Sequence, residues 1–199
     1  MKSFWSEPFL WIHLAGAAIL PILFEICLLG LATGEPYWSA WLELLAIAAI
    51  GILPILWMQW TRPFDIFSLL FIALDPEQLT LEQRRLLSQF KSNRNRILTS
   101  IGVGLSLIFL WFAYRWAPAA ATVTPFPAEW RFVGLGVATL AFLASNLFLQ
   151  VPLSVIGILL TDESSLTDTE PYPVERIRQD FTLVGLRVER ILPSMLRER

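Results

Sequence analysis

Apolar residues in this chain run together instead of alternating with polar ones at helical spacing. Four stretches, 8–33, 37–60, 97–114 and 132–160, contain only Glu25, Glu43 and His13 among groups that charge near neutral pH, with Cys27 as the one thiol. A helix on a soluble core keeps a polar face that returns about every 3.6 residues; these stretches keep none. A hydrocarbon core about 30 Å thick takes about 20 such residues per helix. The pattern predicts an all-α polytopic membrane protein. Its domain over residues 1–160 is a four-transmembrane-helix bundle with spans at about 8–32, 37–60, 97–116 and 130–152.

The connections carry their own signals. Thr33-Gly34-Glu35-Pro36 is a tight turn, so spans 1 and 2 form an antiparallel hairpin. The stretch 63–74, "PFDIFSLLFIAL", is apolar but too short to span and carries Asp65, which predicts a helix lying in the inner interface. Thr80 and Gln83 form a capping box for a loop helix over 80–96, striped by Leu79, Leu86, Leu87 and Phe90. The last apolar run reaches Leu160, too long for one upright span, which predicts a bend at Pro152 with residues 153–160 along the surface. A polar linker over 161–172 leads to an amphipathic helix over 173–199. There Ile177, Phe181, Val184, Val188 and Ile191 recur at steps of four and three.

Lysine and arginine set the orientation. Arg62, Arg84, Arg85, Lys91, Arg94 and Arg96 fill the middle loop, and six more arginines fill the tail, against Arg115 and Arg131 on the other side. Both termini therefore face the cytoplasm. Tryptophans agree: Trp5, Trp11, Trp57 and Trp60 fall at the inner boundary, and Trp38, Trp41, Trp116 and Trp130 at the outer. The pentapeptide "ILPIL" occurs at 19–23 and at 52–56. Prolines are tolerated in membrane helices, and the two copies read as helices bent to fit their neighbours, not as a transporter repeat.

Composition narrows the function classes. Of 199 residues 55% are hydrophobic and 16% charged, against about 45–50% and about 25% in soluble domains. A net charge of −2 offers no footprint for nucleic acid. One cysteine excludes an intrachain disulfide and a multi-cysteine metal site. No phosphate loop, dinucleotide fingerprint or hydrolase motif occurs, which argues against an enzyme and identifies no catalytic residue, metal site or small-molecule substrate.

Polar residues inside the spans are the candidate chemistry. Folding the hairpin about Gly34 puts Glu25 level with Glu43. The pair reads as a protonatable or cation site, or else as separate carboxyls, one of them pairing with Arg115 or Arg131 at the outer rim. His13 is a candidate pigment ligand; with Asn146 and Gln150 it reads more simply as a structural polar layer. Small residues (Gly102, Gly104, Ser106, Gly134, Ala138, Ala141, Ser145, Ala46, Ala49, Gly51) predict close helix packing. They leave the Phe and Leu faces to lipid, to a pigment such as chlorophyll or carotenoid, or to a partner. Partner-binding candidates are Arg176, Arg178, Phe181, Arg187 and Arg190 on the tail and Arg84, Arg85 and Phe90 on the loop helix.

Four stretches carry a family resemblance: "SFWSEPFLWIHLAG" (3–16), "ILPILWMQWTRPFDIFS" (52–68), "FLASNLFLQVPLSV" (142–155) and "ERIRQDFTLVGLRVERILP" (175–193). Together they resemble the cyanobacterial low-complexity tail membrane protein family over nearly the whole chain. That resemblance implies a thylakoid or plasma membrane of a cyanobacterium. With the absence of catalytic motifs, it leads to the expectation of a non-enzymatic accessory or assembly factor of a larger photosynthetic complex, a photosystem. A small oligomeric ion or proton transporter and a pigment-binding subunit are the alternatives.

Overall fold

The computed structural model describes residues 4–69, 71–183 and 185–191. Four helical stretches long and apolar enough to cross a membrane form a bundle: Pro8–Leu31, Ala40–Thr61, Asn93–Ala120 and Ala128–Leu159. The first is split. Helix α1 (Pro8–Ala15) passes through a 3-10 turn, Gly16–Ile19, into α2 (Leu20–Leu31). Pro21 sits in the opening turn of α2, where its missing N–H costs little. In the second copy of the pentapeptide, Pro54 lies inside the unbroken helix α3 (Ala40–Thr61). The same five residues thus do different things in the two helices.

Helix α5 (Asn93–Ala120) and helix α6 (Arg131–Leu159) complete the bundle. Helix α6 is the hub, packed against α2, α3 and α5. Glycines set the approach. A Cβ on Gly30 would lie 2.6 Å from the Gly134 carbonyl oxygen, and one on Gly51 would lie 2.3 Å from the Phe142 ring. Gly34, with φ of 59°, makes the turn between α2 and α3. A Cβ there would also strike the Ala128 carbonyl, at 2.2 Å.

Loop and tail fold together as one cap over the other end of the bundle. The segment 63–74 is not an interfacial helix. It forms a hairpin of β1 (Ser68–Leu69) and β2 (Ile72–Leu74). A short unperiodic apolar run suits strand or helix equally, and local bonds decide. Asp65 Oδ1 accepts the Phe67 N–H at 2.9 Å, and the Ser68 hydroxyl donates to the Asp65 carbonyl at 2.7 Å, closing a turn. The helix expected over 80–96 is two. Helix α4 (Leu81–Phe90) starts on the Thr80–Gln83 capping box, and the Ser92 hydroxyl accepts the Asn95 N–H to start α5. Linker 161–172 contains helix α7 (Glu163–Thr167).

The tail is not one amphipathic helix. Helix α8 (Val174–Asp180) ends at Phe181, whose backbone is extended. The chain then enters β3 (Leu186–Val188), which pairs parallel to β2. Gly185, with φ of 98°, allows this: a Cβ there would sit 1.9 Å from the Phe71 carbonyl carbon. The expected stripe member Val184, and residues 192–199 of the expected helix, lie outside the described residues.

Helix α6 does not stop at Pro152 and turn along the surface. It runs on to Leu159, and Val155, Ile158 and Leu159 are buried in the cap core with Phe67, Ile177 and Phe181. The extra length is covered by protein, so it has no need to lie along the bilayer. Full burial stabilises side chains of this size by about 1.5–3 kcal/mol each, which holds the small sheet to the bundle.

Candidate functional site

Of the two readings of Glu25 and Glu43, the structure matches separate carboxyls, one of them paired with Arg131. Glu25 lies exposed on the outer surface of α2, whereas Glu43 is 3% exposed and forms a salt bridge with Arg131, itself 3% exposed. Arg131 opens α6 and closes the turn end of α2: its Nη1 donates to the carbonyls of Leu31 at 2.7 Å and Thr33 at 2.9 Å. The Tyr37 N–H donates to Glu43 Oε1 at 3.0 Å. Arg131 satisfies carbonyls that a helix end leaves open, and Glu43 neutralises it. Arg115 is exposed.

His13 does not join Asn146 and Gln150. Its Nε2 donates to the Ile66 carbonyl at 2.8 Å, and its ring meets Phe64 edge-on at 5.5 Å. It ties α1 to the cap. Asn146 and Gln150, both fully buried, do form a polar layer. Asn146 Nδ2 donates to the Gly51 carbonyl on α3 at 2.9 Å. Its Oδ1 accepts the Ser106 hydroxyl of α5 at 2.8 Å and Gln150 Nε2 at 2.9 Å. Three helices are joined at one amide. Interhelical bonds of this type contribute about 0.6 kcal/mol each in membranes.

On the lipid-facing side, an apolar groove of about 640 Å³ runs between α2 and α5 over α6, lined by Pro21, Phe24, Phe109, Phe112, Trp116 and Phe142. Its walls offer shape and aromatic surface with almost no polar group. Among the described residues no three of His, Cys, Asp and Glu gather as a metal site.

The cap contains the remaining candidates. Phe90 and Phe181 are buried in its core, so they hold the cap together and present no surface to a partner. Arg84 is half-buried, and its Nη1 donates to the Tyr172 carbonyl at 3.4 Å; Arg85 is half-buried too. Arg178 lies 3.4 Å from Asp75. Arg176, Arg187 and Arg190 remain exposed. Asp180 accepts the Tyr172 hydroxyl at 2.5 Å and meets Arg176 at 3.2 Å and Lys91 at 3.8 Å. The Tyr172 hydrogen bond holds the Asp180 carboxyl below its ordinary range, and Lys91 and Arg176 add to this. Burial, with Asp180 beside it, pushes the Tyr172 phenol up to about 12. Lys91 donates to the Thr61 carbonyl at 3.0 Å, closing the end of α3 as Arg131 closes α2. Arg62 reaches the carbonyls of Arg178 and Phe181 at 3.0 and 3.1 Å. Loop and tail are stapled to the bundle by cations on carbonyls.

Sequence reasoning used Asp65 only to lay the segment 63–74 in the interface, not as a candidate site residue. Its side chain is fully buried, its Oδ2 has no hydrogen-bond partner, and burial pushes its carboxyl up to about 6. Sequence reasoning passed over Gln59, Asn95, Thr99 and Ser154, all buried. Amides and hydroxyls on the stripe that carries the small residues were the available signal.

A family model described as low-complexity tail membrane protein-like matches residues 6–193. No curated protein and no solved structure matches the chain.

Proposed function

Because the chain belongs to the low-complexity tail membrane protein-like family across residues 6–193 and is an integral membrane protein with four apolar helices, we propose that it is a non-enzymatic accessory or assembly factor. Its place is in a larger membrane complex, a photosystem of a cyanobacterial thylakoid. One observation carries the reading. The cap is fixed to the bundle and carries Phe71, 76% exposed, and Leu186, 78% exposed, at the Phe71–Gly185 crossing, with Arg187 and Arg190 exposed nearby in the chain. Aromatic and arginine side chains on a rigid support are the composition of docking hot spots. The lysine and arginine bias supports a cytoplasmic position for this surface. Native-gel migration of gently solubilised membranes tests the proposal. The wild type is expected in a high-mass band, and Arg187→Glu with Phe71→Ser is expected to leave it while the solubilised protein keeps its unfolding temperature. Migration of the wild type at monomer size overturns it.

The apolar groove supports a second reading, a subunit that holds a pigment or lipid chain. An absorption spectrum of the purified protein distinguishes a chlorophyll or carotenoid from a colourless acyl chain. The ion-transporter alternative has lost its main support, since Glu43 is neutralised by Arg131 and Glu25 lies outside the bundle.

A further inference from the structure

The bundle buries more oxygen than it satisfies, and the surplus lies in one place. Gln59 Oε1, Thr99 Oγ1, Gln150 Oε1 and Ser154 Oγ are each enclosed with no hydrogen-bond partner in the protein, and Asn95 Oδ1 is a fifth. Their side chains are between 0% and 4% exposed. Buried polar atoms without partners are normally few, and each asks for an explanation.

Fixed contacts bring them to one level. The Gly51 carbonyl on α3 bonds Asn146 on α6. The two helices run in the same direction, and Gln59 and Ser154 each lie eight residues further on. Helix α5 runs the opposite way. Ser106 bonds Asn146, Gly102 lies against Gln150 (a Cβ there would be 3.2 Å from its Cγ), and Gly157 faces Leu98. That register sets Thr99 opposite Ser154, and Asn95 one turn nearer the cap. Three helices thus contribute one polar atom each to the same layer, with Gln150 one turn deeper.

The hydroxyls add an independent observation. Ser100, Thr139 and Ser145 all donate to the carbonyl four residues earlier, at 2.7–3.0 Å. That is the default for hydroxyls in membrane helices. Thr99 and Ser154 make no such bond. They are held available for something else.

We propose that this layer is a binding site for a small cluster of internal water molecules. The site starts beneath the cap and ends at the Asn146 amide. Water suits the inventory: three amide oxygens need donors, two hydroxyls donate or accept, and a water needs about two to four polar partners. None of the five groups is ionisable, so the layer has no charge to offset the desolvation of a cation, which is large in a low-dielectric interior. The site is closed on its far side by Phe142, fully buried against Gly51. It is a hydrated dead end about two turns deep, not a channel. It confines the water to the cap end of the bundle, away from the Arg131–Glu43 pair at the turn end.

The sign of a stability change tests this in the full-length protein in detergent. Thr99→Val keeps the shape and removes one oxygen. If water bonds that oxygen, Thr99→Val lowers the unfolding temperature by several degrees, and Ser154→Ala adds less than its own separate loss because both touch the same cluster. If the oxygen is merely unpaired, Thr99→Val raises the unfolding temperature, and the proposal is wrong. Thr139→Val is the control for a hydroxyl bonded to its own helix. A second readout does not depend on stability: Ser154→Cys in a Cys27→Ala background carries an S–H group visible in the infrared. A downshifted S–H band that exchanges promptly in D₂O supports the site, and a free, slowly exchanging one overturns it. Unfolding temperatures in NaCl, KCl and choline chloride at equal ionic strength complete the test. A sodium- or potassium-specific rise that Thr99→Val abolishes names a cation as occupant and overturns the assignment to water.

Discussion

Asp65 and Glu43 are both buried carboxyls, and they have different partners. Glu43 has an arginine beside it; Asp65 has one backbone N–H and an unpaired Oδ2. Burial raises the Asp65 carboxyl from 3.8 to about 6. Between those values the folded chain keeps a proton that the unfolded chain has lost. Stability therefore falls as pH rises from about 4 to about 6, and levels off above, by on the order of 3 kcal/mol in total. Asp65→Asn is expected to remove that decline in unfolding midpoints measured against pH; an unchanged slope would assign it to another group. At the ion pair, Arg131→Met strands a buried carboxylate and two helix-end carbonyls, and costs about 3–5 kcal/mol. Glu43→Gln keeps an acceptor for the Tyr37 N–H and costs less. Adding Glu43→Leu to Arg131→Met should restore part of the loss, and Arg115→Met, at an exposed site, should do nothing. Equal losses at Arg115 and Arg131 would contradict the buried pair.

Elements in this protein are positioned by where backbones must touch. Gly30 and Gly134 bring α2 onto α6 with main chain against side chain and carbonyl, whereas a Cβ on Gly104 or Gly136 would meet nothing within 4 Å. Gly30→Ala should therefore cost about 1–3 kcal/mol through overpacking. Gly104→Ala should be neutral or slightly stabilising, since alanine is the better helix former. Thermal unfolding of both variants checks the contrast, and similar values would mean that the α2–α6 contact is loose. The small-residue reading of the sequence caught Gly51, Gly102 and Gly134. It included Gly104, which packs on nothing, and missed Gly30. Spacing marks which residues are small; it does not say which face meets a neighbour. The same limit explains the segment 63–74 and the tail. Their apolar residues were read as the faces of an interfacial helix and an amphipathic tail helix, but whether they coil or extend was decided by Gly185, Phe71 and the pairing of β2 with β3, contacts more than a hundred residues apart in sequence.

At the scale of the molecule, the cap joins residues 62–91 to residues 172–188 through Arg62, Lys91 and the parallel strand pair, so both lie at one end of the bundle. Single cysteines at Glu77 and Glu189, in a Cys27→Ala background, should react with a membrane-impermeant maleimide from the same side. Cysteines at Glu35 and Glu129 should react from the other. Labelling of Glu77 and Glu189 from opposite faces would dismantle the cap. What the sequence determined alone is the membrane, the number of spans and their approximate limits, because each span must satisfy the hydrocarbon over its own length and the requirement is written locally. It also determined which polar residues had to be accounted for. Tertiary structure alone decided their partners: Arg131 took Glu43 and left Glu25 outside, His13 went to a cap carbonyl, and Asn146 gathered three helices. A buried polar group is stabilised by whatever lies a few ångströms away, and that neighbour comes from a distant part of the chain.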